Sequence, residues 1–179
     1  KLTFDQWVLQ QTKTPPRWYG LRFFNVFGPN EYHKGRMASV VYHAFKQIQA
    51  TGQMKLFRSH REDYKDGEQQ RDFVYVKDVT RVIEMLFSDQ DAPSGIYNLG
   101  SGDSRTFNDL VQAIFKALNL EEKIGYIDTP EDIREAYQYY TEADMSKWSK
   151  TNVGVGFKSM EENVEDYVLN HLKPGFAYW

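Results

Sequence analysis

Apolar runs with a period near two alternate along this sequence with apolar patterns that have the helical period of 3.6. The strand-like runs cover residues 18–27, 55–57, 72–76, 96–99 and 123–127, and helix-like patterns lie between most of them. A chain with this alternation is typical of an α/β protein, in which helices pack on the faces of a sheet. We therefore predict an α/β fold with about five helices and about five short strands.

Several helix ends are marked by residue types that satisfy the free backbone groups found there. Gly52 ends an apolar pattern that begins at Met37, as glycine often does just beyond a helix. Asp78 and Thr106 each precede a helical pattern and are predicted N-cap residues. Ser159 opens a capping-box pattern with the glutamate three positions later, which predicts the start of the last helix.

The composition argues against several classes of protein. The formal net charge is −3 and the sequence pI is about 5.8, which argues against non-specific nucleic-acid binding. No apolar run approaches the ~18 residues of a membrane-spanning helix. Without cysteine the chain has no disulfide or thiolate ligand, which fits the cytoplasm. The four histidines lack partners at ligand spacing, so we expect no metal site.

The chain begins at Lys1 and runs at once into an amphipathic helical pattern, with Phe4, Trp7, Val8 and Gln11 on one face. A sequence that starts inside a helix, without an initiator methionine, is typical of a fragment. We therefore expect this chain to be part of a longer protein.

The densest group of polar residues follows the first predicted strand, within the segment FFNVFGPNEYHKGRMAS. A strand that ends in Gly-Pro turns over a crevice, where α/β proteins place ligand contacts. Asn25 interrupts the apolar strand, and Lys34 beside Gly35 lies on the approach to the crevice. A lysine that loses water there titrates below ~10.4 and can exchange a proton. Taken alone, Lys34 also fits a solvated lysine, and Asn25 a satisfied amide at a sheet edge.

Charged residues also flank the predicted strand at 72–76. Arg71 is suited to grip a phosphate through two parallel hydrogen bonds, and Asp72 is suited to hold that arginine in place. An ordinary ion pair at a sheet edge explains the same two residues.

These segments resemble the extended short-chain dehydrogenase family, which includes nucleotide-sugar epimerases and dehydratases. RFFNVFGP resembles the family's Arg-x-x-Asn-Val-x-Gly-Pro strand, and RDFVYVKDV resembles its Arg-Asp-Phe-x-x-Val-x-Asp-Val segment. GIYNLGSGDSRTFNDLVQAI is similar to the strand, turn and helix that follow. NEYHKGRMASVVYHAF and AYQYYTEADMSKW resemble one branch of the family, which acts on an ADP-linked heptose.

The resemblance implies that residues 1–179 form the C-terminal part of such an enzyme. Most of the chain would be the smaller substrate-binding domain, interleaved with the last strands and helices of the NADP-binding Rossmann domain. An N-terminal Rossmann half of ~140 residues would be absent, together with its Gly-x-Gly-x-x-Gly loop. Gly100-Ser101-Gly102 lacks the third glycine and is better explained as a backbone corner. The chain alone is therefore expected to be inactive.

The implied activity is NADP-dependent epimerisation at carbon 6 of ADP-glycero-manno-heptose, for the inner core of lipopolysaccharide. NADP would take a hydride from carbon 6 and return it to the opposite face. Two acid/base groups would handle the hydroxyl proton on the two faces. The implied assembly is a cytoplasmic homo-oligomer, a pentamer in this branch.

The resemblance also assigns residues, position by position. Lys34 would be the second catalytic acid/base, and Lys1 would be the lysine of the family's Tyr-x-x-x-Lys motif. Lys1 would bind the cofactor's ribose and Val26 would touch the cofactor. The implied substrate contacts are Asn25, Arg36, His43, Phe57, Arg58, Ser59, His60, Arg71 and Tyr137. Two departures stand out: Arg36 replaces a serine of the family, and the loop 58–70 is several residues longer than usual.

The sequence leaves two other functions open. A nucleotide-sugar 4-epimerase or dehydratase would share Asn25 and Arg71 but would not need Lys34. A non-catalytic module that binds sugar nucleotides would carry the same motifs, and loss of the catalytic tyrosine from the full gene would favour it.

Overall fold

The computed structural model describes residues 1–89, 91–176 and 178. The helices are α1 (Leu2–Leu9), α2 (Val40–Thr51), α3 (Val76–Ser88), α4 (Phe107–Leu118), α5 (Glu131–Arg134) and α6 (Met160–Tyr167). Tighter 3-10 turns cover Tyr32–Met37 and Ser146–Lys150, and a wider π turn covers Val168–Leu172. The strands are β1 (Tyr19–Phe23), β2 (Asn25–Phe27), β3 (Met54–Phe57), β4 (Gln70–Tyr75), β5 (Gly95–Leu99), β6 (Ser104–Thr106) and β7 (Ile124–Ile127). This arrangement confirms the predicted α/β fold.

The strands form three small sheets. β1 pairs in parallel with β5, β3 pairs in parallel with β7, and β4 lies between parallel β2 and antiparallel β6. The first predicted strand is divided at Phe24, whose N–H donates to the carbonyl of Leu99. The chain therefore leaves the β1–β5 sheet and joins the β4 sheet within one residue. The expectation that 18–27 is one buried strand was wrong, and Phe23 remains half exposed.

Two hydrophobic cores support these sheets. The larger core packs α2, α4 and α6 against β3 and β4, and its fully buried members include Val41, Ile114 and Val164. The smaller core joins α3 to β5 and contains Leu99 and Trp148. Because β4 contributes Phe73 to the larger core and Val74 to the smaller one, alternate side chains of this strand connect the two.

Local capping rules account for both ends of α2 and α4 and for the start of α6. Gly52 follows α2 with φ 72°, and Thr106 caps α4 in a capping box. Ser159 caps α6 in the same way, so these three predictions are confirmed. The prediction for Asp78 was wrong: α3 begins at Val76, and the buried Asp78 carboxylate instead pairs with Arg81 and accepts from Asn163.

The apolar stripe that predicted α2 extends one turn too far. Met37 lies in the preceding 3-10 turn and is 85% exposed, so its assignment to the helix was wrong. The turn ends at Ala38, whose extended backbone breaks the helical path before the Ser39 N-cap.

The first helix packs least closely. α1 has no buried residue, and its large apolar side chains Leu2, Phe4, Trp7 and Leu9 are each more than half exposed. An ion pair between Asp5 and Arg22, 2.7 Å long, joins it to β1. Over the described part of the chain, none of the helices has both the length and the apolar character to span a bilayer.

Candidate functional site

A cavity of about 440 Å³ lies beside the amino end of α2, between β3 and the segment 130–137. Its walls are mainly apolar or aromatic, while its polar side chains come from four different segments. The lining residues are Arg36, Ala38, Val40, His43, Met54, Lys55, Leu56, Phe57, Gln69, Phe107, Pro130, Asp132, Ile133 and Tyr137. Four predicted substrate contacts, Arg36, His43, Phe57 and Tyr137, therefore meet in one cavity.

A smaller cavity of about 180 Å³ adjoins the first, and Ala38, Val40 and Phe107 line both. Three more predicted residues line it: Asn25, Val26 and Arg71. The two cavities together are called the groove below. The groove runs from aromatic walls at one end to strand β2 at the other.

Arg71 lies where the two parts of the groove meet. Its side chain is 8% exposed and donates to the carbonyl of Gln70 at 2.8 Å and to the carbonyl of Gln138. The guanidinium carbon lies 5.4 Å from the ring centre of Tyr137 and 5.6 Å from that of Phe107. Burial lowers the pKa of Arg71 from its ordinary value, but an arginine remains charged.

The charge of Arg71 has no carboxylate partner among the described residues. None of the ion pairs found there includes it, and its hydrogen bonds are to neutral carbonyls. A buried cation held only by neutral acceptors is suited to an anionic ligand.

The expectation that Asp72 holds Arg71 was wrong. Neighbouring residues of a strand point to opposite faces, so Asp72 faces away from the groove. Its carboxylate accepts from Ser101 N at 2.6 Å, Ser101 Oγ at 2.7 Å, Gly102 N at 3.0 Å and Ala143 N at 2.9 Å. The Asp72 carboxylate is thus the anion that binds the backbone amides of the Gly100–Gly102 turn.

The segment that pairs with Gln70 places Tyr137 next to Arg71. The N–H of Gln70 donates to the carbonyl of Tyr139 at 2.8 Å, and the N–H of Thr141 donates back to Gln70 at 3.3 Å. This pairing along β4 holds Tyr137 across the groove, where its ring meets that of Phe57 edge to face. Burial raises the pKa of Tyr137, although the nearby charge of Arg71 opposes the shift.

The residues that follow Phe57 lie outside the groove. The exposed Arg58 approaches two carboxylates, with 3.8 Å to Asp66 and 3.9 Å to Asp128. The backbone N–H of Ser59 donates to Asp66, and His60 Nε2 accepts from the N–H of Thr129 at 3.2 Å. The structure therefore does not bring Arg58, Ser59 and His60 together with Arg71, and their contacts stabilise their own loop.

Lys34 lies on a different surface from the groove. Its side chain is exposed, as in the alternative of a solvated lysine, and it lines a cavity of about 400 Å³ with Pro29, Val76 and Lys77. The chain reaches this position through Gly28 at the end of β2. Gly28 has φ 140°, and a Cβ there would lie 2.5 Å from Val76 Cγ1, so only glycine permits this approach.

The turn that carries Lys34 and Arg36 is closed at its base by Glu31. This carboxylate is 3% exposed and accepts from Ser39 Oγ at 2.6 Å, Ser39 N at 2.7 Å and Tyr167 Oη at 2.9 Å. Gly35 has φ 54° in the middle of the turn. The two ends of the segment 31–39 are therefore fixed, while its centre has an unusual backbone conformation.

The described residues do not fit the pyrophosphate of a dinucleotide. The glycine turn at 100–102 already binds the Asp72 carboxylate, and its amide groups are occupied. Lys1 is exposed at the start of α1 and does not line the groove. Over the described residues, no three or more His, Asp or Glu side chains are grouped as metal ligands.

Several residues that line the groove were not predicted from the sequence. Gln69 is almost fully buried, and Asp132 and Ile133 come from the short α5. Val40 and Phe107, at the first positions of α2 and α4, line both cavities of the groove. The one sequence feature that could have indicated this lining was Gln69, a polar residue two positions before Arg71.

The NAD dependent epimerase/dehydratase family matches residues 1–100 of this chain. An ADP-L-glycero-D-manno-heptose-6-epimerase of Fusobacterium nucleatum is 46% identical over 99% of this chain and 55% of its own length. An enzyme of the same name from Nitratidesulfovibrio vulgaris is 45% identical over 96% of this chain and 53% of its own length. The chain thus spans about half the length of the curated relatives it matches.

The fold is similar to solved structures of enzymes with related names. The crystal structure of the Helicobacter pylori ADP-L-glycero-D-manno-heptose-6-epimerase has a TM-score of 0.76 and 29% identity, over 94% of this chain and 48% of that one. A UDP-N-acetylglucosamine 4-epimerase of Methanobrevibacter ruminantium has a TM-score of 0.69, over 93% of this chain and 49% of that one. At 24% identity, the second similarity supports the fold alone.

Proposed function

The chain belongs to the NAD dependent epimerase/dehydratase family, and we propose that it forms the sugar-nucleotide side of an NADP-dependent epimerase. The substrate is ADP-D-glycero-D-manno-heptose, and the reaction inverts carbon 6 to give the L-glycero isomer. This places the protein in the synthesis of the lipopolysaccharide inner core. The names of the relatives in Fusobacterium and Nitratidesulfovibrio support this substrate.

The single observation that supports the proposal best is the position of Arg71. It is a buried cation without a described carboxylate partner, and it lies between an aromatic cavity and the strand that carries Asn25. A nucleoside fits the aromatic cavity, the pyrophosphate lies at Arg71, and the heptose extends toward Asn25 and Val26. Such a groove is suited to a ligand with a planar base, a charged centre and a polar sugar.

The remaining substrate contacts surround this path. Arg36 and His43 line the larger cavity from the start of α2, and Phe57 and Tyr137 provide its aromatic walls. Arg58, Ser59 and His60 reach the substrate only after the loop that they now stabilise has changed its conformation.

The proposed acid/base groups act on the hydroxyl at carbon 6. Lys34 exchanges its proton on one face, and a tyrosine four residues before Lys1 does so on the other. The exposed position of Lys34 requires the turn around Gly35 to move it over the substrate. The fixed ends of the segment 31–39 support a local movement of this kind, since they anchor it on both sides.

NADP supplies the hydride chemistry, and most of its binding site lies in the Rossmann half that we propose precedes this chain, ~140 residues in length. Within the chain, Lys1 holds the nicotinamide ribose and Val26 touches the cofactor. The intact protein then acts as a cytoplasmic homo-oligomer.

The proposal is tested with the full-length protein, NADP and ADP-D-glycero-D-manno-heptose. The expected result is formation of the L-glycero isomer, followed by proton NMR of the heptose. UDP-galactose and UDP-N-acetylglucosamine serve as competing substrates. Conversion of a UDP-sugar without conversion of the ADP-heptose would show a sister epimerase, and no conversion of any sugar would favour a binding module.

A further inference from the structure

Gln69 is a buried amide in the wall of the groove. It directly precedes β4, its residue is 1% exposed, and it lines the larger cavity together with Phe57, Phe107 and Tyr137. Its backbone is held firmly, because its carbonyl accepts from the N–H of Phe107 at 3.2 Å. The backbone position of Gln69 is therefore fixed by the fold.

The contacts of Gln69 determine which way its amide faces. Its Nε2 donates to the backbone carbonyl of Phe57 at 3.4 Å. A carbonyl oxygen can only accept a hydrogen bond, so the opposite orientation would bring two acceptors together. The Oε1 atom of Gln69 therefore faces away from the carbonyl of Phe57.

This oxygen has no hydrogen-bond donor among the described residues, since the one side-chain hydrogen bond of Gln69 found there uses Nε2. Among the described residues, the polar atoms that protein encloses completely and that lack a hydrogen-bond partner do not include Gln69 Oε1. An acceptor that is buried but open to a cavity is satisfied only when something in the cavity donates to it.

We propose that Gln69 selects the nucleobase of the bound nucleotide by accepting a hydrogen bond from an exocyclic amino group. This inference rests on the proposed function, in which a nucleoside occupies the larger cavity. Adenine carries such a donor at N6. Hypoxanthine and uracil carry a carbonyl oxygen on the corresponding edge, and two acceptors would then face each other.

The walls of the cavity fit the same type of ligand. Phe57, Phe107 and Tyr137 provide flat apolar surface for a planar ring, but such surface accepts any base. Discrimination between bases needs a fixed polar group, because a site built to form one hydrogen bond rejects an analogue that lacks it. Gln69 supplies a fixed acceptor at the buried side of the cavity.

The experiment compares ADP with IDP, which differ in the amino group and carbonyl at position 6 of the purine. Affinities of the full-length protein are measured by isothermal titration calorimetry. The wild type is expected to bind ADP about tenfold more tightly than IDP, as for one lost hydrogen bond. Gln69→Leu is expected to remove this preference, mainly by weakening the binding of ADP.

Gln70→Leu is the matched control. Gln70 is the next residue, and its Oε1 accepts from Ser104 Oγ at 3.0 Å rather than lining the groove. It should keep the ADP preference of the wild type. Gln69→Met preserves the length of the side chain without an amide, so it serves as a second variant if Gln69→Leu is poorly folded, and it must show the same loss.

The outcomes separate the two proposals. If the wild type binds ADP and IDP equally, or if Gln69→Met retains the preference for ADP, the role of Gln69 is overturned while the proposed function stands. If the wild type binds neither nucleotide, the proposed function fails, and the role of Gln69 fails with it.

Discussion

Arg71 is the residue on which we propose that binding of the substrate depends most. We predict that Arg71→Ala in the full-length protein raises KM for the ADP-heptose by about ten- to a hundredfold, with a smaller effect on kcat. The reason is that a charge-assisted contact to phosphate is present in both the ground state and the transition state. Steady-state kinetics measure the two parameters separately.

The control for Arg71 is Arg22→Ala, which removes an exposed arginine paired with Asp5. It should leave KM close to that of the wild type. An unchanged KM in Arg71→Ala would show that Arg71 is a structural residue, held by the carbonyls of Gln70 and Gln138.

Lys34 is the residue on which the chemical step is proposed to depend. We predict that Lys34→Met lowers kcat by about 10²–10⁴, as expected for the loss of a general acid/base. Methionine keeps most of the side-chain length, and the exposed position should leave the thermal midpoint nearly unchanged. Lys46→Met, at an exposed lysine of α2, is the control. A Lys34→Met enzyme with the wild-type rate would contradict the proposed role.

Individual residues of the groove were predicted from motifs rather than from chemistry. Arg71, His43, Phe57 and Tyr137 line the groove, and the substrate contacts that the resemblance implies for them stay predictions. The role given to Asp72 was wrong because sequence adjacency was taken for contact, whereas strand neighbours face opposite sides. Gln69 was missed because the predicted strand began at residue 72, so the alternation that places Gln69 on the same side as Arg71 was not extended back to it.

Among the elements, the turn at Tyr32–Met37 depends on one carboxylate. We predict that Glu31→Gln destabilises the protein by about 1–3 kcal/mol, because the amide has one acceptor oxygen where Glu31 serves three donors. The turn carries Lys34 and Arg36, so kcat should also fall and KM should rise. Thermal unfolding and steady-state kinetics measure these effects.

Glu165→Gln is the control for Glu31, since Glu165 is an exposed carboxylate on α6. It should change neither the stability nor the kinetic parameters. If Glu31→Gln is destabilised but turns over at the wild-type rate, Glu31 supports the fold without positioning the turn.

Helix ends were predictable where local groups decide them. Thr106 and Ser159 form their capping boxes with residues three positions away, and Gly52 needs only its own backbone freedom. Asp78 was mispredicted because α3 begins two residues earlier, at Val76, and the Asp78 carboxylate accepts from Asn163 of the last helix. A contact of this kind cannot be predicted from neighbouring sequence.

On the scale of the whole molecule, the period of the apolar pattern predicted the α/β class but not the division into three sheets. That division depends on the change of partner at Phe24, where the chain passes from β5 to β4. Apolar periodicity shows which residues prefer burial. It contains no information on which distant strand will pair with them.

We predict that the 179-residue chain, purified alone, does not convert the ADP-heptose and does not retain NADP. The sequence has no Gly-x-Gly-x-x-Gly loop, and its glycine turn at 100–102 is occupied by Asp72. The exposed apolar side chains of α1 should also make the isolated chain bind a hydrophobic dye. Turnover by the isolated chain, measured by NMR, would contradict this prediction.

Asp72 joins three distant parts of the chain, and this has a consequence for small molecules in the buffer. Asp72→Gly would leave a pocket in which the amides of Ser101, Gly102 and Ala143 still converge on the former place of a carboxylate. The pocket would then act as a receptor for acetate or formate. We predict that the variant melts at a higher temperature in acetate than in chloride of equal ionic strength, whereas the wild type melts equally in both. An equal melting temperature of the variant in the two salts would show that the pocket collapses once the side chain is removed.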